Sequence, residues 1–266
     1  MLRFESIDEP RETAFNIAFD TGDDFLAFMR SRENCGELRA MHGFLGFVMS
    51  GTNMGARNHD MDMLAGETVD WEALGEGLVV DMGGAYGHVC ASIARKNPKL
   101  RFIVQDLPQI IGQARKEILN TTEGDASVAS RISFMEHDFL HPQTVTNADV
   151  FMFRFVIHDW SDKYVLRILE NLLHAMKPTA RIVIMDYVLG AAGSMPKVVE
   201  RLERTMDIVA LSIIAGKERT SLDWQKLITR LGGRLEIRSI HTSPQSAFGL
   251  VVLGLGPVSG HHDNVL

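Results

Sequence analysis

The sequence predicts a doubly wound α/β fold: a seven-stranded, mostly parallel sheet with a helical appendage in front of it. Three observations carry this. Short apolar runs alternate with amphipathic helical stretches from Leu78 to Leu253, a pattern that builds a parallel sheet covered on both faces. The first run, Leu78-Val79-Val80-Asp81-Met82, leads into Gly83-Gly84-Ala85-Tyr86-Gly87 and then a helical pattern. The second, Arg101 to Asp106, ends in an acid. Strand, glycine loop, helix, strand and acid make a βαβ nucleotide-binding unit.

Residues 1–12 are polar. Residues 13–50 look helical, because Phe15, Phe19, Phe25, Phe28 and Met29, then Leu38, Met41, Phe44, Leu45 and Val48, recur near helical spacing. Two such aromatic-rich helices would floor a substrate pocket, or would simply pack as core. Residues 51–70 read as loop and weak helix. The first crossover helix closes on Arg95-Lys96 and stops at Asn97-Pro98. Pro108 to Leu119 is a helix opening on proline, and 120–130 is a small, polar surface loop. Ile132 to Glu136 and Ala148 to Phe153 are strands, ending at His137-Asp138-Phe139 and at Arg154.

A helix runs from Lys163 to Met176 and stops at Lys177-Pro178. Arg181 to Met185 is a strand ending at Asp186. Helices follow at 197–214 and Leu222 to Leu231, the latter broken by Gly232-Gly233. Arg234 to Ile240 and Phe248 to Leu253 read as a closing hairpin. The expected organisation is an appendage over 1–70, a ligand-binding catalytic domain over 71–255, and a polar, disordered tail over 256–266.

In an open α/β sheet, ligands sit at the carboxyl ends of the strands. The residues expected there are Asp81, Asp106, Asp138, Arg154 with His158, and Asp186. The loop pattern is Asp-x-Gly-Gly-x-x-Gly, with Met82 where a dinucleotide fingerprint carries its first glycine. This argues for a nucleoside without phosphates, and S-adenosylmethionine is the obvious candidate. Asp81, Gly83 and Gly84 would cradle its amino-acid end and Asp106 its ribose. Asp138 would accept from the adenine amino group, with Phe139 against the ring; a loop-capping role for Asp138 is the alternative. His158, just past a strand end, is a candidate general base near neutral pH. Asp186 or Glu218 would fix its tautomer. The alternative is a loop or helix-start histidine. A methyl transfer from a sulfonium needs little beyond close in-line approach and such a base.

Composition bounds the function. The net charge of −7 disfavours nucleic acid as substrate. Two cysteines, Cys35 and Cys90, lie far apart and outside any metal-ligand spacing. No disulfide framework or metal site is expected, and His137-Asp138 with His141 supplies too few ligands. Without an apolar N-terminal core or an apolar run of spanning length, neither secretion nor membrane insertion is expected, and the reading is cytoplasmic.

From about Thr13 to Leu253 the chain resembles the plant and fungal class I small-molecule O-methyltransferases that use S-adenosylmethionine. The matching stretches are Val79-Val80-Asp81-Met82-Gly83-Gly84, Phe102-Ile103-Val104-Gln105-Asp106-Leu107-Pro108, His158-Asp159-Trp160-Ser161-Asp162 and Gly216-Lys217-Glu218-Arg219. The fungal branch, whose members decorate secondary metabolites, is the closer likeness. The resemblance implies that His158 is the catalytic base flanked by Asp186 and Glu218. It implies that Gly83, Asp106, Leu107, Asp138, Phe139 and Arg154 line the cofactor site. Phe25, Met29, Met206 and Ile213 would shape the pocket for a small aromatic acceptor with a phenolic hydroxyl. The resemblance also implies a homodimer, although the chain starts after the winged-helix-like domain that builds the dimer in relatives. Two alternatives stand beside methyl transfer. One is a cofactor-binding relative doing pericyclic or decarboxylative chemistry; the other is a truncated pseudoenzyme that binds a full-length partner.

Overall fold

The sheet follows from the period of its strands. In the computed structural model, which describes residues 8–31, 36, 40, 69–242 and 248–257, β1 (Leu78–Met82) and β2 (Arg101–Asp106) pair in parallel. β3 (Ile132–Glu136) extends the sheet beyond β2, and β4 (Val150–Arg154) joins the other side of β1. β5 (Arg181–Leu189) lies beside β4, again parallel. A two-residue strand, β6 (Arg219–Thr220), pairs with the end of β5. β7 (Leu235–Thr242) and β8 (Phe248–Leu255) are antiparallel, with β8 inserted between β5 and β7. The order is β3-β2-β1-β4-β5-β8-β7, with β6 off that path. Among the described residues the sheet therefore has eight strands where the sequence pattern predicts seven; β6 is too short to show a period.

Alternate residues of the central strands feed two cores. Val79, Met152, Val183, Met185 and Tyr187 face one side, where α3 (His88–Lys96) packs through Cys90, Ala91, Ile93 and Ala94. Val80, Phe151, Phe153, Ile182 and Ile184 face the other, against α6 (Asp162–Leu173) and α8 (Ser221–Thr229). Both faces are covered, so β1, β4 and β5 read as apolar runs rather than as alternating strands.

Between β2 and β3 lie α4 (Pro108–Thr121), opening on proline, and α5 (Ala126–Ala129). α5 falls inside the stretch expected to be loop. Its amphipathic signal is one turn long, but Asp125 caps it by accepting from the N–H groups of Ser127 (2.9 Å) and Val128 (3.2 Å). β5 also corrects an expectation. It continues four residues past Met185, so Asp186 sits within the strand rather than at its end. Tyr187, Val188 and Leu189 are strand formers, and β8 and β6 supply their ladder partners.

In front of the sheet, α1 (Ala14–Ala18) opens with a capping box between Thr13 and Asn16, and α2 (Phe25–Ser31) follows. Phe15, Phe28 and Met29 form a small core of their own with Phe25. The Thr13 hydroxyl donates to the Ile213 carbonyl (3.4 Å), tying α1 to the end of α7 (Lys197–Ile214). Of the helix expected over Leu38 to Val48, only Ala40 is among the described residues, where it is helical; the tail from 258 lies outside them. Among the described residues, no helix is long and apolar enough to cross a membrane.

Candidate active site

The β1–α3 loop is shaped by its glycines. Gly83 and Gly87 have φ of +74° and +76°, backbone that side chains rarely adopt. A Cβ on Gly84 would lie 2.5 Å from the Asp81 carboxylate and 3.0 Å from Val104. That carboxylate is buried and accepts from the Cys90 thiol (3.2 Å). Burial lifts Asp81 to a pKa of about 6, against the opposing pull of the Cys90 bond and the Arg154 charge. The Asp81 carboxylate is therefore tied to α3 and packs close against Gly84. At the tip of β2, Asp106 accepts from the Ala85 N–H (3.0 Å) and the Leu107 N–H (2.7 Å). Gly87 caps α3 without a side-chain bond, so the first-turn N–H groups point out beside the loop. A tight glycine cradle, an acid at the neighbouring strand tip and an uncapped helix start fit a nucleoside cofactor.

A direct consequence concerns Gly84→Ala. The added methyl meets a carboxylate held in a buried bond, so the loop itself must shift. The expected result is a loss of S-adenosylmethionine affinity of about 10-fold or more, as for a misfitted methyl in a packed site. Calorimetric titration checks it.

The second half of the site begins where β4 ends. Phe155 turns the chain with φ of +57° and hands it to a single 3-10 turn, Ile157–Asp159. His158 is buried on this turn, at 5% exposure. Its Nδ1 lies 2.7 Å from Glu218 Oε1, and its Nε2 lies 3.2 Å from Asp159 Oδ1. Asp186 does not touch the ring. Its two oxygens accept from the backbone N–H groups of Val156 (3.2 Å) and His158 (3.1 Å). Of the two acids weighed for the imidazole, Glu218 is the one in contact, while Asp186 anchors the turn. Burial alone disfavours the imidazolium. The Asp159 charge, the Glu218 hydrogen bond and charge, and the Asp186 charge outweigh it and raise His158 to about 10.

Glu218 is held in turn. Its N–H donates to Asp207 on α7 (3.0 Å). Gly216 passes so close that a Cβ there would lie 2.4 Å from the His158 carbonyl oxygen, and the Lys217 N–H donates to that same oxygen (2.8 Å). Arg219, 1% exposed, clamps both sides of the histidine turn. It donates to the carbonyls of Ile157 (3.4 Å), Lys217 (3.1 Å) and Trp160 (2.8 Å), and to Asp162 (2.9 and 3.0 Å). A planar fork does this where a lysine would not.

The other expected residues divide. Phe139 lies against the loop, 3.7 Å from where a Gly83 Cβ would be, and packs edge-on to Trp160 at 5.6 Å. Asp138 turns back on its own loop, accepting from the Leu140 N–H (2.9 Å) and facing His141 (3.2 Å). Arg154 is partly buried, its guanidinium 5.8 Å from the centre of the Phe248 ring. Phe25, Met29 and Ile213 share an apolar cavity of about 510 Å³, lined also by Phe15, Phe19 and Phe28. Met206 does not line it; it is buried in the core that also holds Tyr187 and Phe248. Among the described residues, no group of three or more His, Cys, Asp or Glu is arranged to hold a metal ion.

Sequence reasoning gave no role to Asp159, Arg219, Asp207 or Phe155. Arg219 stands beside Glu218 in the motif Gly216-Lys217-Glu218-Arg219, but its burial and its clamp depend on carbonyls that no motif displays.

The glycine loop after β1 and the histidine turn after β4 are neighbours, a Cβ on Gly83 lying 3.0 Å from Val156, so one site at the strand ends holds both. The chain belongs to the O-methyltransferase domain family, whose model matches residues 61–234. It is 36% identical over 247 residues to O-methyltransferase bfoD of Aspergillus brasiliensis, covering 91% of this chain and 55% of that one. The chain thus spans about half the length of such curated relatives. Among solved structures it resembles LepI in complex with S-adenosylmethionine (26% identity, TM-score 0.68, 94% of this chain and 59% of that one). It also resembles a protein described as a pericyclic reaction enzyme (27% identity, TM-score 0.70, 95% and 60%).

Proposed function

We propose that the chain carries the catalytic part of an O-methyltransferase acting on a phenolic hydroxyl of a small aromatic secondary metabolite. Residues 71–255 would be the catalytic unit and the helices before them part of the acceptor pocket. The observation that carries the reading is the buried 2.7 Å contact between His158 Nδ1 and Glu218. It commits Nδ1 to the carboxylate; Nε2, 3.2 Å from Asp159 Oδ1, would exchange the acceptor proton in place of that contact. The neighbouring carboxylates raise His158 to about 10, so at neutral pH the imidazole is mostly protonated, and it is the neutral fraction, growing toward alkaline pH, that would take the acceptor proton at Nε2. Asp186 holds the turn that carries the imidazole. S-adenosylmethionine supplies an electrophilic methyl group when bound, and Gly83, Gly84, Asp106 and Leu107 would hold it. The cavity at Phe15, Phe19, Phe25 and Phe28 would suit a flat apolar group, although none of the residues around His158 lines it. The exposed side chains of Ile17, Phe19 and Leu26 support the family's homodimer, in which a second chain would cover them. Cytoplasmic residence is supported by the small cysteine count.

A second reading is favoured by the likeness to the pericyclic reaction enzyme: the same cofactor site, with rearrangement of the substrate in place of methyl transfer. One experiment separates them. The chain is incubated with S-adenosylmethionine and a panel of phenols, and products are weighed by mass spectrometry. A gain of one methyl per acceptor supports the first reading; product at unchanged methyl count supports the second.

A further inference from the structure

Phe155 stands out among the residues around His158. Its φ of +57° lies in the left-handed region, where a bulky side chain is strained and persists only if the surroundings impose it. Glycine would take that backbone freely. What phenylalanine adds is the ring. That ring lies against the imidazole of His158, with centroids 4.1 Å apart and planes tilted by 40°. Two further rings back it: Phe248 edge-on at 5.6 Å and Tyr187 at 6.0 Å. The Phe155 N–H donates to the Met185 carbonyl (2.9 Å), so the twisted backbone is pinned to β5. The imidazole is therefore held in plane by Glu218 and Asp159 and across its face by Phe155.

We propose that Phe155 is a positioning residue for the base: its ring keeps the imidazole in register with Glu218 and stabilises the imidazolium through its π face. An aromatic face attracts a cation most strongly where water is excluded, and His158 is buried. The strained backbone is the device that brings the ring there. A relaxed residue at 155 would continue the direction of β4, and the chain would not deliver Val156 and His158 N–H groups to Asp186. The inference rests on the reading of His158 as the base, so its test includes a measurement that does not depend on methyl transfer.

Three variants are compared with the parent chain: Phe155→Leu, which keeps apolar bulk without a ring; Phe155→Tyr, which keeps the ring; and Phe155→Gly, which removes ring and strain together. The His158 proton affinity is read by NMR titration of the labelled imidazole, with thermal melting to show that each variant is folded. The charged and titratable neighbours are common to all: Asp159 on the same turn, Glu218 ahead of β6, Asp186 and Tyr187 on β5, Asp207 and Glu203 on α7, and Arg154 at the end of β4. The difference between the leucine and tyrosine variants, both on the strained backbone, therefore reports the ring. The expected result is a His158 proton affinity lower by ~3- to 30-fold in the leucine and glycine variants, and near the parent value in the tyrosine variant. The alkaline plateau of kcat for methyl transfer falls about 10-fold in the first two, its climb with pH comes earlier as the proton affinity falls, and KM for S-adenosylmethionine is unchanged.

If the leucine variant does not fold, the glycine and tyrosine pair carries the comparison. An unchanged titration in the ring-less variants, or an equal loss in the tyrosine variant, overturns the role of Phe155. A titration shift in a chain that methylates no acceptor upholds Phe155 as the imidazole's support and sinks the methyl-transfer reading instead.

Discussion

His158→Ala is expected to lower kcat by ~10²–10⁴-fold, the usual worth of a positioned general base, while S-adenosylmethionine affinity stays near that of the parent chain. The separation follows from the geometry. The imidazole is bound to Glu218 and Asp159 on the turn after β4, whereas the proposed cofactor cradle is the β1–α3 loop and the tip of β2. The backbone bonds that fix the turn, from Val156 and His158 to Asp186 and from Lys217 to the His158 carbonyl, survive the substitution. Stopped-flow or steady-state rates with calorimetry of the cofactor check both halves. A cofactor affinity that falls in step with activity would remove His158 from the role of base.

Glu218→Gln is the second substitution with a large expected effect. Glutamine keeps an oxygen for the Nδ1 proton but loses the charge that favours the imidazolium. The Glu218 side chain is fully buried, so solvent does not screen that charge. In the parent chain, kcat/KM should climb from neutral pH toward about 10, as the free imidazole becomes populated. In the variant the climb should come at lower pH, and the plateau should fall about 10²-fold, because the imidazolium formed by proton transfer is less stabilised.

The sign for stability is fixed by the same shift. A histidine raised above its usual 6.5 contributes stability that is complete below pH 6.5 and lost as pH rises through about 10. Glu218→Gln should flatten that alkaline loss. A pH–rate profile unmoved by the substitution would detach Glu218 from the base. Glu218→Ala is less informative: breaking a buried charged pair costs roughly 3–5 kcal/mol and mixes stability with catalysis.

Much of this architecture can be read from the chain. The β1–α3–β2 unit is legible because its signals are local: an apolar run, glycines where Cβ atoms do not fit, and an acid at a strand tip. The same holds for α4, with proline at its start, and for α7, whose bounds the apolar period gives directly. What the chain hides depends on partners distant in sequence. Asp186 reads as the last residue of a strand, but β8 and β6 extend that strand past it and turn its carboxylate to backbone N–H groups. Met206 falls on a helix near the pocket, yet its face of α7 is the one packed against β5. Arg219 and Phe155 are further cases, because a clamp made of carbonyls and a stacked ring on twisted backbone have no sequence period. Asp138 illustrates a conflict between readings: its position suits adenine, while its carboxylate is engaged by the Leu140 N–H and His141.

The measurement that tests the central claim most directly is transfer of a deuterated methyl group. The chain is given S-adenosylmethionine labelled with deuterium on its methyl carbon, together with a phenolic acceptor, and the product is read by mass spectrometry and NMR. The labelled methyl is expected on the acceptor oxygen, in amounts that collapse in His158→Ala. Product formed without the label, or no transfer to any phenol from a chain shown by calorimetry to bind the cofactor, would contradict the account.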